Sequence, residues 1–150
     1  MNNGEYAPDF TLPDQSDTPR SLTGFLESGP VVLFFYPAAM TPGCTAEACH
    51  FRDHAAEFAE LGAHRVGISP DPVDKQQTFA TTHDMGFPLL SDADGAVARQ
   101  FGVRRAFGPL ATKRHTFVIG TDRRVLGVVK SELRMAVHAE RALDALRNAG

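Results

Sequence analysis

What the sequence has little of narrows its function first. No apolar stretch approaches the roughly 20 residues needed to cross a bilayer, so no membrane association is expected. Basic residues are in slight deficit, 15 Lys and Arg against 18 Asp and Glu, for a net charge of -3. That balance leaves no basic stripe to follow phosphates, so nucleic acid is not an expected partner and small molecules or proteins are. Residues Met1 to Pro8 lack the basic start and apolar run of a secretory signal, which makes a cytoplasmic address the simplest one. Repeats, low-complexity tracts and linkers are absent too, and 150 residues with 43% apolar content suit one domain over residues 1-150. Cysteine is scarce, with two in the chain. In a reducing compartment such a pair is more often reactive or metal-bound than a structural staple.

What is present reads as strands alternating with helices. After a stretch of turn formers (Pro8, Pro13, Asp14, Asp17, Pro19), the run Val31 to Tyr36 is continuously apolar between Pro30 and Pro37, the pattern of a buried central strand. From Cys44 to about Leu61 the apolar residues Cys44, Ala48, Phe51, Ala55 and Phe58 fall at helical spacing. A strand over Arg65 to Ser69, a helix from Val73 to Thr82, an apolar segment at Phe87 to Leu90 and a short helix over Ala93 to Phe101 follow. His115 to Ile119 and Val125 to Val129 read as strands joined across Thr121 to Arg124, and Leu133, Val137, Leu143 and Leu146 mark a C-terminal helix. Phe101 to Leu110, with Gly102, Gly108 and Pro109, suits a loop over a pocket or a plain surface connection. The order describes a three-layer α/β domain.

The chemistry concentrates where the first long strand meets its helix, Tyr36-Pro37-Ala38-Ala39-Met40-Thr41-Pro42-Gly43-Cys44. With Thr41 as N-cap, Pro42 takes the first helical position, where its missing N–H costs nothing, and Cys44 lies in the first turn. The positive end of the helix favours an anion there. Cys44 also continues the apolar stripe, so a core role competes with a reactive one. Cys49 lies a net 140° further round the helix, with Asp53 and Glu60, and an ideal helix separates the two Cα atoms by roughly 8 to 9 Å, beyond the ~7 Å limit of a disulfide. A bond between them requires the first turns to unwind. Cys49 as an unpaired surface thiol, and a zinc site of Cys44, Cys49, His50 and His54, are the alternatives. A thioredoxin-type disulfide reductase would need Cys-x-x-Cys at the helix start, which is absent, and a noncatalytic binding module would need no thiol at all. His64, His83, His115 and His138 are scattered and carry no assigned role.

Pro37-x-x-x-Thr41-x-x-Cys44 resembles the active-site signature of peroxiredoxins, and Thr41 to Cys49 with Phe51-Arg52-Asp53 resembles the Q-type branch, the bacterioferritin comigratory proteins. Ala7-Pro8-Asp9-Phe10, Leu12-Pro13-Asp14 and Arg114 to Ile119 are similar to further segments of that family, in the same order. The resemblance implies a thioredoxin-like fold with a central mixed β-sheet flanked by helices. It implies a thiol peroxidase acting on hydrogen peroxide and organic hydroperoxides, with Cys44 as the peroxidatic and Cys49 as the resolving cysteine. Pro37, Thr41 and Arg114 would complete the pocket, and no metal or organic cofactor would take part. Thioredoxin or a similar dithiol protein would be the reductant, and the chain would be a monomer or weak dimer. The sequence departs from the family at Ala38-Ala39-Met40, where polar residues are common, and at Gly120, where an aspartate often stands. Met40 makes the rim more apolar, which points towards organic hydroperoxides.

Overall fold

The computed structural model describes residues 1–105 and 112–149. It opens with a small antiparallel hairpin, β1 (Thr11–Pro13) and β2 (Pro19–Ser21), followed by a short helix α1 (Leu22–Leu26). The turn is fastened by Asp14, whose Oδ1 accepts the Ser16 and Thr18 backbone N–H groups at 2.8 and 3.1 Å. Ser21 caps α1 by accepting the Gly24 N–H at 3.0 Å. Where the sequence suggested only turns, β1 and β2 form on local side-chain hydrogen bonds, and α1 adds a short buried stripe of Leu22, Phe25 and Leu26.

The remaining elements are β3 (Val31–Phe35), α2 (Pro42–Asp53), α3 (Ala55–Glu60), β4 (His64–Ser69), α4 (Val73–Thr82), β5 (Leu89–Ser91), α5 (Ala96–Gln100), β6 (His115–Ile119), β7 (Val125–Lys130) and α6 (Ala136–Ala149). Five strands form one sheet in the order β5-β4-β3-β6-β7. β3 is central, parallel to β4 and antiparallel to β6, so the sheet is mixed. Every residue of β3 is buried, as its unbroken apolar run requires, because helices cover both faces. Val31, Leu33 and Phe35 face a cluster with Phe25 of α1 and Val97 of α5. Val32 and Phe34 face the opposite way, onto Ala48 and Phe51 of α2, Phe79 of α4 and Leu143 of α6. Alternation along one strand thus builds both halves of a three-layer α/β core.

Three helix boundaries differ from those read in the sequence. The helix read through to Leu61 starts at Pro42, as the Thr41 cap implied, but breaks at His54, whose φ of -97° and ψ of 23° leave helical geometry. The helix expected over Ala93 to Phe101 begins only at Ala96, after Gly95 in a left-handed conformation (φ 71°). Asp92 then accepts the Val97 and Ala98 N–H groups at 3.1 and 2.9 Å, closing its first turn. Leu133 is 91% exposed and precedes α6, whereas Val137, Leu143 and Leu146 are buried on it. Of the loop read at Phe101 to Leu110, residues 106–110 lie outside the described residues.

Candidate active site

The loop between β3 and α2 is held from below by buried polar groups of β4, α4 and the turn between them. The Ala39 backbone N–H donates to Asp71 Oδ2 at 2.6 Å, and Ser69 Oγ donates to the same oxygen at 2.7 Å. Gln76 Nε2 donates to Ser69 Oγ (2.9 Å) and to the Leu90 carbonyl (2.8 Å), while the Tyr36 hydroxyl donates to Gln76 Oε1 (2.5 Å). Burial drives the Tyr36 hydroxyl upward from its ordinary pKa, so it serves here as a neutral donor. With these partners mutually satisfied, removing one strands a buried group at a cost of about 1–3 kcal/mol. Met40, left-handed at φ 66° and 41% exposed, then turns the chain into α2. Pro37 opens this loop, half-buried.

Thr41 is the N-cap residue of α2 and Pro42 sits in its first turn, as the spacing required. The capping itself differs, since the Thr41 hydroxyl donates to the Ala38 carbonyl at 2.7 Å and caps no helical N–H. Its lone pairs therefore remain available to accept. Cys44 follows in the first turn, fully buried among Val32, Phe34, Tyr36, Ala48 and Phe51. It fills the core stripe and also meets a cation. Arg114 Nη1 donates to Cys44 Sγ at 3.3 Å and to Glu47 Oε1 at 3.0 Å. Burial opposes the charge of Arg114, but Glu47 and Cys44 outweigh it and the guanidinium is held more firmly protonated than usual. A Cβ at Gly43 would stand 3.3 Å from Arg114 Nη2, so glycine admits the guanidinium to the start of the helix.

Two further residues fix that arginine. Glu132, between β7 and α6, accepts the Arg114 backbone N–H at 2.9 Å and the Arg105 side chain at 2.9 Å. Glu47, fully buried one turn beyond Cys44, takes Arg114 on Oε1 and stands 3.4 Å from His138 Nε2 on Oε2. Burial pushes Glu47 up to about 8, against the pull of Arg114. His138, also fully buried, places Nε2 at 2.7 Å from the Ser131 carbonyl and Nδ1 at 2.8 Å from Thr116 Oγ1. A neutral ring with its proton on Nε2 satisfies both contacts, and burial lowers its pKa accordingly. Cys49 is half-buried on another side of α2, and both cysteines are free thiols within the unbroken helix. Among the described residues no group of three His, Cys, Asp or Glu is placed to hold a metal ion, so Cys44, Cys49, His50 and His54 do not gather as a zinc site would require. His54 instead pairs with Glu57 at 3.0 Å.

Residues 3–128 match the model of the AhpC/TSA family. The chain is 62% identical over 149 residues to a putative peroxiredoxin of Mycobacterium tuberculosis, covering 98% of this chain and 97% of that one. The chain belongs to the AhpC/TSA family. It is a peroxiredoxin, a thiol-dependent peroxidase. The crystal structure of peroxidoxin BcpB from M. tuberculosis superposes with a TM-score of 0.96 at 59% identity, over 100% of this chain and 99% of that chain. Peroxiredoxin Q of Xanthomonas campestris does so with a TM-score of 0.84 at 31% identity, over 93% and 90%. The thioredoxin-like fold with its central mixed sheet is therefore the fold of this peroxiredoxin. Among the described residues no helix is long and apolar enough to cross a membrane.

Of the residues read from sequence, the fold brings Cys44 and Arg114 into contact, sets Pro37 and Thr41 at the two ends of the adjoining loop, and turns Cys49 away. Glu47, Asp71 and His138 were not singled out. Glu47 sits between the cysteines, yet a glutamate in a helix signals a solvated face, and its partner Arg114 is 67 residues away in the chain. The one available signal was its place in line with Cys44 and Phe51 on the buried stripe, where a carboxyl needs a partner.

Proposed function

We propose that Cys44 is the peroxidatic cysteine and that Arg114 and Thr41 bind the peroxide over it. The observation that carries this reading is Arg114 Nη1 at 3.3 Å from Cys44 Sγ at the start of α2. The Arg114 guanidinium and the Cys44 backbone N–H, an unpaired donor of the first helical turn, stabilise charge moving onto the leaving oxygen. The Thr41 hydroxyl donates to Ala38 and so accepts from the peroxide O–H, orienting the O–O bond towards sulfur. Pro37 shields the sulfur from solvent. Removing one such donor in other enzymes costs about 10²–10³ in rate, so positioning outweighs thiol acidity.

Attack forms the S–O bond, breaks the O–O bond and leaves a sulfenic acid on Cys44. Cys49 then displaces the hydroxyl as water, forming an intramolecular disulfide that α2 must open to accommodate. Thioredoxin or a similar dithiol protein returns both thiols. Hydrogen peroxide and organic hydroperoxides are the substrates, the latter favoured by the exposed Met40 at the rim. The bacterioferritin comigratory protein of X. campestris, 30% identical with a TM-score of 0.85 over 93% of this chain and 91% of that one, has alkyl peroxide reduction activity, which supports the second class. The protein works in the cytoplasm as a monomer or weak dimer. In the test, Cys44→Ser abolishes peroxide consumption, whereas Cys49→Ser completes one turnover and accumulates a dimedone-reactive sulfenic acid. An active Cys44→Ser protein would remove the assignment.

A further inference from the structure

One cation in this site faces two groups that can be anions. Arg114 Nη1 contacts Cys44 Sγ at 3.3 Å and Glu47 Oε1 at 3.0 Å, so the sulfur and the carboxyl share a single donor nitrogen. Cys44, Glu47 and His138 are fully buried and Arg114 is 6% exposed, so solvent cannot screen an unbalanced charge. Among the described residues no other cation contacts Cys44 or Glu47. From α6, His138 is neutral, its ring nitrogens taken up by Ser131 and Thr116. From the β7–α6 connection, Glu132 is already paired with Arg105, and from β3 and the turn after β4, Tyr36 stays neutral and Asp71 faces Lys75 at 3.4 Å. Glu47 Oε2 accepts no hydrogen bond among the described residues and stands 3.4 Å from the neutral His138 ring, so nothing there stabilises a full negative charge on that oxygen.

Resting on the peroxidatic role given above to Cys44, we propose that Cys44 and Glu47 hold a single negative charge between them on Arg114, Glu47 being protonated while Cys44 is a thiolate. Oxidation then moves the charge. The thiolate pair attacks one peroxide oxygen, the S–O bond forms, and the O–O bond breaks. Sulfur is oxidised to the sulfenic acid, the departing RO⁻ is reduced and takes up one proton, and Glu47 releases one, ending as a carboxylate on Arg114. The products are Cys44–SOH, ROH and Glu47–COO⁻, and the buried cluster stays neutral throughout. The rise of Glu47 to about 8 through burial, with Glu132 adding to it, agrees with a protonated carboxyl at neutral pH. Glu47 is thus a positioning and proton-holding residue that acts through Arg114.

The test uses the Cys49→Ser protein, which stops at the sulfenic acid, mixed with one equivalent of hydrogen peroxide at pH 7. Difference infrared spectra should lose the C=O band of one protonated carboxyl on oxidation, and Glu47→Gln in the same background should show no such loss. In weak buffer with an indicator dye, proton uptake per peroxide should be at least five-fold smaller with Glu47 in place than in the Glu47→Gln protein. A protonated-carboxyl band that is absent before oxidation, or persists after it, overturns the inference, as does uptake of a full proton per peroxide with Glu47 in place. Those overturning results need only the protein that keeps Glu47, so they stand even where Glu47→Gln fails to fold. Failure to consume peroxide at all would overturn the peroxidatic role of Cys44, and this inference with it.

Discussion

Arg114→Gln separates catalysis from stability. In the native protein the side chain donates to Cys44 Sγ and Glu47 Oε1 from one nitrogen. Breaking a buried ion pair ordinarily costs about 3–5 kcal/mol, because the abandoned charge stays buried. Here Glu47, raised to about 8 by burial, is mostly protonated at pH 7, so its loss is nearer that of hydrogen bonds, about 1–3 kcal/mol. In a domain of this size that lowers Tm by roughly 2–4 °C per kcal/mol and leaves the protein folded at 25 °C. In the role proposed for Arg114, the transition state loses its main charge donor, worth about 10²–10³ in rate. Stopped-flow oxidation by hydrogen peroxide gives the second-order rate constant, and urea unfolding of the same preparation gives the stability. A rate within ten-fold of the parent, or a rate loss matched by the unfolded fraction, would refute the reasoning. The pH dependence adds a sign. A carboxyl whose folded value exceeds its unfolded 4.5 binds the proton more tightly when folded, so its contribution is present at low pH and lost as pH rises from about 4.5 to 8. Without Arg114 the folded value climbs further, and the falling limb extends above pH 8.

Asp71→Ala removes the acceptor shared by the Ala39 N–H and Ser69, and should cost about 1–3 kcal/mol in urea unfolding while slowing peroxide reduction through a loosened loop. His115, pushed down to about 4 by burial and then by Lys130, binds its proton more tightly when unfolded. Stability should therefore fall as pH drops from 6.5 towards 4, and His115→Gln should flatten that limb in thermal melts. Phe51→Ala deletes a fully buried ring stacked 4.3 Å from Phe34, with an expected loss of about 3–5 kcal/mol by urea denaturation.

How much of this could be read from the sequence follows from how each element is stabilised. β3 was legible because both its faces are buried and its residues are all apolar. α4 and the β6–β7 pair were legible from their own periods and turn. The hairpin of β1 and β2 was not, since its half-exposed strands depend on Asp14 binding across the turn. The break at His54 was hidden because Phe51 and Phe58, on either side of it, enter the same cluster and keep the apolar stripe continuous. In the site, Cys44, Thr41 and Pro37 lie within one local pattern, whereas the Glu47–Arg114–His138 arrangement joins α2, the segment before β6, and α6. Contacts of that span carry no local periodicity.

The central claim is that Cys44 and Cys49, free thiols on different sides of an intact α2, are joined by the reaction. Its most direct test is to treat the reduced protein with one equivalent of hydrogen peroxide, count free thiols, and map the cross-link by mass spectrometry of a non-reduced digest. Both thiols should disappear per peroxide consumed, with a Cys44–Cys49 disulfide formed within single chains. Both thiols surviving while peroxide is consumed, or a cross-link only between chains, would contradict it.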